Sequence, residues 1–412
     1  MVLSNNKYDT IIIGGGASGL IAACRSIKNG RKTIVLEKMP RPGRKLRITG
    51  KGRCNITNTL EISEFLKHVG PEKEFPQKVF MKFFNTDLIT FFNTLGLQII
   101  IERGGRVFPK SGKATDVVDV LVNYIKKNGG RINTNSIVNK LIVTNNKIAG
   151  IETNGIKYYA SKVIIATGGI TYPLTGSTGD GYRLAKEAGH SVHPVYPVLV
   201  PLKTNNPKIK RLENLNLRNV NLTAWLDNKK IDEKFGEMIF LDGNLSGPII
   251  LKMSRILVPF IRQNKKIVLS LDMKPALNFT KLNNRILRDI EKLGNNPFRL
   301  ILKGLLPGKM IPICIMETGI AMEKPCNKIN PEEIEILVNW LKNQTFEITG
   351  TASADEAIIT AGGVSTNEVN PNTMESKIIS GLHFAGEVLN IDADTGGYNL
   401  QIAFSTGWIA GN

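Results

Sequence analysis

The hydrophobic pattern of the first forty residues predicts a strand, a helix and a second strand. Ile11 to Ile13 form an unbroken apolar run, as in a parallel strand that is covered on both faces. A helix is predicted from about Ser18 to Asn29 and is expected to end at Gly30. The next apolar run ends at Glu37 and predicts a second strand. This order indicates a βαβ unit.

A glycine-rich turn joins the first strand to the helix. Gly14, Gly16 and Gly19 have the spacing G-x-G-x-x-G, which allows a tight turn, close approach of the backbone to a pyrophosphate, and packing of the helix on the strand. The helix N-terminus would present free N–H groups to the diphosphate. Glu37 lies 23 residues after Gly14, where a carboxylate can accept both hydroxyls of an adenosine ribose. Because it would repel a 2′-phosphate, the pattern predicts FAD or NAD.

A basic loop after Glu37 narrows this choice. Residues 41–58 are rich in Gly and Arg, which suits a cofactor with a long diphosphate and a polar flavin head. An NAD-dependent dehydrogenase would continue into its next βα unit at this point. Cys54 could be a redox thiol, but no second cysteine lies near it in sequence, so a small buried side chain is the favoured interpretation. We predict FAD.

Alternating and helical patterns divide the rest of the chain. Residues 131–161 predict a β excursion, after which the apolar run at 162–169 returns to the sheet. We predict an α/β fold in which a Rossmann-like FAD-binding domain, of the two-dinucleotide-binding-domain flavoprotein type, is interrupted by a β-barrel-like domain and a small helical domain. The predicted ranges are 1–191 and 356–412 for the FAD-binding domain, 192–275 for the β-rich domain with a return strand near 345–355, and 276–342 for the helical domain.

Composition places few limits on function. The chain has 412 residues, 42% hydrophobic and 22% charged, which is typical of a globular protein with two or three domains. The four cysteines lie far apart in sequence, which suits a reducing cytoplasm. No apolar run is long enough to span a bilayer. No metal-ligand spacing or Ser-His-Asp pattern is present, so we expect no metal site and assign the redox chemistry to the cofactor.

The chain contains many more basic than acidic residues, 54 Lys and Arg against 35 Asp and Glu. A formal net charge of +19 suggests an anionic partner, such as nucleic acid, a phosphorylated cofactor or an acidic small molecule. The basic residues are spread along the chain, with short clusters at 41–47 and 208–211 and no recognisable nucleic-acid motif. We therefore expect a small-molecule substrate, no specific nucleic acid and no membrane partner, and the oligomeric state is left open.

The chain resembles a family of bacterial FAD-dependent oxidoreductases, the YhiN/BaiN-like family, which includes aminoacetone oxidases and bile-acid reductase-type flavoproteins. The resemblance spans the whole chain and lies in five ordered segments: SGLIAA, PGRKLRITGKGRCNITN, GRVFPKSGKATDVVDVL, VIIATGGITYPLTGSTGDGYRLAKEAGH and HFAGEVLNIDADTGGYNLQIAFSTG. The combination of G-K-G-R-C-N with a C-terminal G-G-Y-N-L-Q is specific to it. Residues 175–190 also resemble fumarate-reductase-type flavoproteins, which hydrogenate activated alkenes.

This resemblance implies a set of cofactor-binding residues. Ala17, Glu37 and Lys38 would contact the adenosine and diphosphate, and Val138 would contact adenine through its backbone. The loop on the flavin side would comprise Arg44, Lys45, Leu46, Gly50, Lys51, Gly52, Arg53, Cys54 and Asn55, and the site would be closed by Glu387, Asn399 and Leu400. The predicted set also includes the turn residues Gly14, Gly16, Ser18, Gly19, Thr167, Gly168, Gly386 and Gly397.

A second glycine turn followed by a helix is predicted near the C-terminus. The apolar strand at 381–388 ends at Gly386 and Glu387, where related flavoproteins place a carboxylate on the ribityl chain. The helix that starts within residues 395–407 would aim its N–H groups at the pyrimidine edge of the isoalloxazine. A positive helix end there would stabilise the negative charge of reduced flavin at N1. The alternative is a helix that only docks on the core.

Together these features predict an FAD-dependent oxidoreductase that transfers hydride through flavin N5. We expect reduction of an activated C=C bond in a small molecule, such as a steroid or bile-acid-like enone. NAD(P)H is the expected electron donor. Because no second G-x-G-x-x-G follows a strand, we expect no separate NAD domain, and the nucleotide would bind transiently at the flavin face. The alternatives are an aminoacetone-type amine oxidase that uses oxygen, a flavin-containing RNA-binding or RNA-modifying protein, and a flavoprotein with a sensing role.

Spacing alone assigns no catalytic residue. Arg106, Tyr172 and Tyr398 lie in or beside the motif segments and could orient or protonate a substrate. His190 and His193 flank a predicted domain junction, and an ordinary buried or surface histidine is the expectation for each.

Overall fold

The computed structural model of the protein describes residues 6–70 and 72–412. Its first elements in chain order are β1 (Thr10–Ile13), α1 (Ala17–Lys28), β2 (Thr33–Leu36), α2 (Arg44–Ile48), β3 (Thr57–Asn58), α3 (Ile62–Phe65), α4 (Glu74–Phe80), α5 (Asn85–Thr94), β4 (Ile99–Glu102), β5 (Arg106–Pro109), α6 (Ala114–Lys127), β6 (Arg131–Asn133), β7 (Val138–Thr144), β8 (Lys147–Thr153), β9 (Ile156–Tyr159), β10 (Lys162–Ile165), α7 (Asp180–Glu187) and β11 (Val192–Val198). They are followed by β12 (Leu202–Thr204), β13 (Asn216–Leu226), β14 (Lys229–Leu241), β15 (Asn244–Ser246), α8 (Pro248–Arg262), β16 (Ile267–Asp272), α9 (Phe279–Leu293), α10 (Arg299–Leu305), α11 (Ile311–Thr318), α12 (Pro331–Lys342), β17 (Gln344–Thr351), β18 (Ile359–Val364), β19 (Leu382–Phe384) and α13 (Tyr398–Ala410).

A five-stranded parallel sheet is the centre of the first of two compact units, which comprises the chain up to Pro197 and from Ala354 onward. Its strand order is β19-β10-β1-β2-β6. Ile11 in β1 lies opposite Val163 on one side and Ile34 on the other. All four residues of β1 are buried, as its unbroken apolar run predicts. Helix α1 packs against α6 and α13, and β7, β8 and β9 form the predicted β excursion as an antiparallel sheet.

The second unit, Val198–Ser353, contains a closed six-stranded barrel. The strand order is β12-β15-β14-β13-β16-β17, and every pairing is antiparallel. Helix α8 packs on β14, and α9 to α12 follow. Phe240 and Phe346 of the barrel belong to the same buried hydrophobic cluster as Phe298 and Leu337 of the helical segment. The barrel and the helices therefore share one core.

The predicted fold class is confirmed, with two differences in detail. Helix α8 lies inside the segment for which only strands were predicted, and its buried Ile250, Met253 and Leu257 recur at helical spacing. β11 pairs with β18 in the first unit, so that unit continues to Pro197. The separation of barrel and helices into two domains stays a prediction. Among the described residues, no helix combines the length and apolarity required to cross a membrane.

His383 is a buried histidine within the parallel sheet. It lies in β19 opposite Ile164 and is 6% exposed. Nδ1 lies 3.1 Å from the carbonyl oxygen of Gly381 and is placed to donate to it. Burial, together with the nearby positive charge of Lys162, lowers the pKa of His383 to about 3. The side chain is therefore neutral in the folded protein at neutral pH.

We predict that this histidine weakens the fold in mild acid. Because its pKa is lower in the folded protein than in the unfolded chain, the unfolded chain takes up a proton first, and stability is lost as the pH falls below about 6.5. The expected loss from this one group is about 2 kcal/mol at pH 5. Thermal midpoints measured at pH 7 and pH 5 should differ less in His383→Gln than in the wild type. The exposed His193→Gln control should retain the wild-type difference, and equal pH dependence in all three proteins would contradict the prediction.

Candidate cofactor-binding site

A cavity lies in the first unit at the carboxyl ends of strands β1, β2 and β10. Residues that directly follow each of these strands line it, together with parts of α2, α7 and α13. Ligands of open parallel sheets bind at this end of the strands. The fold therefore brings together segments that are as much as 390 residues apart in the sequence, from Ile13 to Ala403.

The glycine turn after β1 has different surroundings at each glycine. A Cβ on Gly14, where φ is +102°, would lie 2.5 Å from the carbonyl oxygen of Ala166, and a Cβ on Gly19 would lie 1.9 Å from the carbonyl oxygen of Gly14. A Cβ on Gly16 would meet no atom within 4 Å. Gly16 is the N-cap of α1, and no side chain caps the helix. The first turn of α1 thus faces the cavity, and the N-terminal end of this helix carries a partial positive charge.

Glu37, directly after β2, is held by backbone donors. Its Oε2 accepts from Gly15 N at 2.7 Å and its Oε1 accepts from Met39 N at 2.8 Å. Burial raises the pKa of Glu37, and these two hydrogen bonds oppose the rise. Each carboxylate oxygen has a further lone pair, so the group can still accept from ribose hydroxyls.

A second carboxylate, Glu387, forms a network with Lys45. Lys45 Nζ lies 2.8 Å from Oε2 and 3.0 Å from Oε1 of Glu387, and 2.7 Å from Thr171 Oγ1. Thr360 N donates to Glu387 Oε1 at 2.9 Å, and Thr171 Oγ1 donates to the same atom at 3.2 Å. The network joins α2, the loop after β10 and the start of β18. Its two threonines were not among the predicted residues.

A second ion pair contributes to the same cavity. Lys38 Nζ donates to Asp180 Oδ2 at 2.6 Å and also to Thr178. Asp180 is the first residue of α7. Ser136 to Val138 line the cavity as well, and Arg183 Nη2 donates to Val138 O at 3.3 Å.

Most of the predicted cofactor-binding residues line this cavity. They are Gly14, Gly16, Ala17, Ser18, Glu37, Lys38, Arg44, Lys45, Leu46, Val138, Thr167, Gly168, Glu387, Asn399 and Leu400. Lining residues that the sequence analysis missed include Gly15, Thr49, Ile137, Ser177, Asp180 and Ile359. Asp180 had a visible signal, because it follows a glycine-rich loop and begins a helix. Their role in binding a cofactor stays a prediction.

Nine predicted residues lie outside the cavity lining: Gly19, Gly50, Lys51, Gly52, Arg53, Cys54, Asn55, Gly386 and Gly397. Three of the five glycines among them face protein atoms: Gly19 packs on Gly14, Gly386 on Ser18 and Gly397 on the backbone of Thr57.

The loop of residues 50–55, which follows the lining residue Thr49, is not itself part of the cavity lining. Arg53 pairs with Glu102 and stacks over the ring of Phe108 at 4.3 Å. Cys54 is fully buried with φ at +58°, and burial raises the pKa of its thiol. A buried, protonated thiol suits the structural interpretation of Cys54.

The start of α13 faces the cavity through Asn399, Leu400, Ile402 and Ala403. Gly397, with φ at +96°, is the N-cap, and no side chain caps the helix. Asn399 fixes the preceding loop, because its Oδ1 accepts from Ala393 N and its Nδ2 donates to Ala393 O, both at 2.8 Å. The C-terminal helix therefore does more than dock on the core, since its first turn forms part of the cavity wall.

None of the residues considered for catalysis lines the cavity. Tyr398 stacks on His68 at 4.3 Å, and burial with the Asp394 charge raises its pKa to about 12. Burial, with Glu356 nearby, raises the pKa of Tyr172. His193 is exposed, and Arg106 pairs with Glu102 at 3.7 Å. His190 is buried, 2.7 Å from Ser376 Oγ and 3.2 Å from Glu368 Oε2, which suits a structural histidine.

The residues of the cavity fit FAD. The open space at Gly16 and the uncapped start of α1 suit a diphosphate. Lys38, Arg44 and Lys45 supply positive charge at the wall.

Comparison with known proteins extends these observations. The family described as HI0933-like protein Rossmann domain matches residues 8–412. The 3-dehydro-bile acid delta(4,6)-reductase of Clostridium scindens is 31% identical over 97% of this chain and 97% of its own length. The ribosomal RNA dihydrouridine synthase of Escherichia coli is 28% identical over 98% of this chain and 96% of its own length.

A solved structure supports the fold. The 3-ketosteroid-Δ4-(5α)-dehydrogenase of Rhodococcus jostii in complex with 4-androstene-3,17-dione has a TM-score of 0.52 and 13% identity, with 100% of this chain and 96% of that chain covered. At this identity, the likeness shows the fold alone. The predicted resemblance and the predicted fold class are confirmed.

We predict that two glycines of the first turn respond differently to substitution. Gly16→Ala should leave the stability of the apoprotein unchanged but weaken FAD binding at least about tenfold, because its methyl group enters only the open space. Gly19→Ala should destabilise the apoprotein by about 1–3 kcal/mol, because its methyl group would overlap the carbonyl of Gly14. Thermal unfolding without FAD and titration of FAD by fluorescence quenching give the two readouts. FAD affinity of Gly16→Ala equal to that of the wild type would show that the cofactor does not approach this turn.

Proposed function

Because the chain belongs to the HI0933-like Rossmann family and is an FAD-dependent oxidoreductase, we propose that it reduces a C=C bond conjugated to a carbonyl group. The names of two relatives support this reaction. One is a 3-dehydro-bile acid delta(4,6)-reductase, and the other makes dihydrouridine, which is uridine with its C5=C6 bond reduced beside the C4 carbonyl. Two unlike substrates share one chemical step, and this common step is the observation that carries the proposal.

Each part of the cavity has a role in this proposal. The first turn of α1 would hold the diphosphate, with Gly16 allowing close approach, and Glu37 would accept from the ribose of the adenosine. Lys45 and Glu387 would hold the flavin side, and Thr360 N and Thr171 Oγ1 fix the carboxylate of Glu387. The first turn of α13 would stabilise negative charge on the flavin. Bound FAD would supply a hydride to one carbon of the C=C bond, and solvent would supply the proton to the other.

The electron donor in the proposal is NAD(P)H. The chain has one G-x-G-x-x-G that follows a strand, at Gly14 to Gly19, and the cavity around it is assigned to FAD. A pyridine nucleotide would therefore bind transiently at the flavin face and leave before the substrate enters. Reduction of the bound flavin by NADH or NADPH in a stopped-flow experiment tests this assignment and also separates an enzyme from a sensing flavoprotein.

Two substrate classes follow from the same chemistry. A steroid or bile-acid-like enone is the first, as expected from the sequence. Uridine within RNA is the second, and two observations favour it: the full-length relative from E. coli is a ribosomal RNA dihydrouridine synthase, and this chain carries a net charge of +19.

Reoxidation of the reduced flavin tests the proposed reaction. The FAD-loaded protein is reduced without oxygen and mixed separately with a steroid 4-en-3-one, with ribosomal RNA and with fumarate. We expect rapid reoxidation by the enone or the RNA, with a saturated product detected by mass spectrometry. The absence of reoxidation by both would contradict the proposal. Rapid oxygen consumption with an amine would instead favour an amine oxidase.

We also predict that the charge of Glu387 contributes to cofactor retention. Glu387→Gln keeps the size of the side chain but leaves Lys45, only 24% exposed, without its anionic partner. FAD should then dissociate with a Kd raised at least about tenfold. The exposed Glu335→Gln in α12 removes the same charge outside the site and should leave FAD affinity unchanged. Equal FAD affinity in Glu387→Gln and the wild type would remove Glu387 from the cofactor site.

A further inference from the structure

Basic residues form a stripe along one side of α9 in the second unit. Lys281, Arg285, Arg288 and Lys292 recur at intervals of four, three and four residues. At about 100° and 1.5 Å per residue, they fall within an arc of about 60° and extend over about 16 Å of the helix. Lys281, Arg288 and Lys292 are exposed and Arg285 is partly exposed. Four cations therefore point to the same side.

Neighbouring residues extend this stripe to α10 and to the segment before α9. Arg285 Nη2 donates to Gly304 O at 3.3 Å, beside the exposed Lys303. Lys274, before α9, lies near Arg285, and burial together with the Arg285 charge lowers the pKa of Lys274. We define the α9–α10 basic face as Lys274, Lys281, Arg285, Arg288, Lys292 and Lys303.

Acidic residues compensate this face only in part. Residues 274–309 contain eight basic and two acidic residues, Asp289 and Glu291, whereas the whole second unit contains 24 basic and 15 acidic residues. The segment therefore supplies two thirds of the net charge of the unit. Asp289 lies 3.7 Å from Arg285. Lys281, Arg288 and Lys292 extend from a helix surface that carries few carboxylates, so their charges can meet an anionic partner.

The apolar side of α9 is buried in the core of the second unit, and this bears on whether the anionic partner is a membrane or a nucleic acid. Leu282 and Ile286 are fully buried in the core of the second unit. The exposed Phe279 and Leu287 lie more than about 100° around the helix from the centre of the basic stripe. A helix that lies in a membrane surface needs a free apolar face beside its cations. Binding to the phosphates of a nucleic acid, which requires only cations, fits this helix better than binding to a membrane surface.

We propose that the α9–α10 basic face binds the phosphate backbone of a structured RNA that is the substrate of this protein. The inference rests on the proposed function and selects RNA from its two substrate classes. Phosphates of an RNA strand match a row of separate cations along a helix, and such contacts position a nucleic acid without reading its sequence. Because these contacts release counterions, binding through them weakens steeply with salt.

The test compares two variants with the same change of charge. Lys281→Gln/Arg288→Gln/Lys292→Gln removes three exposed cations of the face and retains Arg285, which bonds to Gly304 within the fold. Lys229→Gln/Lys265→Gln/Lys266→Gln removes three exposed lysines around the barrel. Both proteins are loaded with FAD and compared by absorbance spectrum and thermal midpoint, so that a folding defect is recognised.

The readout is the affinity for deproteinised E. coli ribosomal RNA, measured by filter binding between 50 and 200 mM salt. In the face variant, we expect Kd to rise at least about tenfold at 100 mM salt and the slope of log K against log salt to fall by about 2–3. The barrel variant should stay within about twofold of the wild type. An equal loss in both variants would show that only the net charge matters and would overturn the proposal.

Two further outcomes would also overturn it. One is a wild-type protein that does not retain the RNA at 100 mM salt. The other is binding to phosphatidylglycerol vesicles that depends on the three residues while RNA affinity does not. No electron donor is present, so the binding result is independent of catalysis. A failure of the flavin reoxidation experiment with intact, face-dependent RNA binding would contradict the proposed reaction and leave the RNA-binding face in place.

Discussion

The backbones of α1 and α13 touch, and the rest of the first unit depends on this contact. A Cβ on Gly407 would lie 2.3 Å from the carbonyl oxygen of Ser18, and a Cβ on Gly411 would lie 2.3 Å from that of Ala22. The two glycines are one helical turn apart, so they leave a smooth strip against which α1 lies. Because each helix begins at a glycine turn, the contact brings the turns near the two ends of the chain to one cavity.

Two uncapped helix starts at one cavity create a positive potential that suits an anionic cofactor. The carboxylates of the wall do not cancel this potential, because Glu37, Asp180 and Glu387 are matched in number by Lys38, Arg44 and Lys45. Gly15 N and Thr360 N donate to Glu37 and Glu387, and Lys45 and Lys38 pair with Glu387 and Asp180. The wall is therefore largely preorganised, and binding of a diphosphate and a flavin requires little rearrangement of its polar groups.

The parts of this site that could be predicted from the residues alone, without the resemblance, are those with local causes. The turn at Gly14 to Gly19, the carboxylate at Glu37 and the fold class follow from spacing and hydrophobic period within about thirty residues. Thr171 and Thr360 were missed because only the tertiary fold brings them to Glu387. The loop of residues 50–55 was assigned to the cofactor by resemblance; it lies outside the cavity lining, and its contact with a cofactor stays a prediction. Helix α8 was missed because its strongly apolar run, with Pro259 inside, also resembles strand segments.

Relatives that match the same chain can act on different substrates, so different parts of the chain must determine the cofactor and the substrate. The two relatives match nearly all of this chain, yet one acts on a bile acid and the other on ribosomal RNA. The glycine turns, which we propose hold the cofactor, therefore do not distinguish the substrates. A large anionic substrate needs a surface of cations, whereas a steroid-sized molecule does not. The charge that seemed scattered along the sequence is therefore informative once α9 aligns four cations on one side.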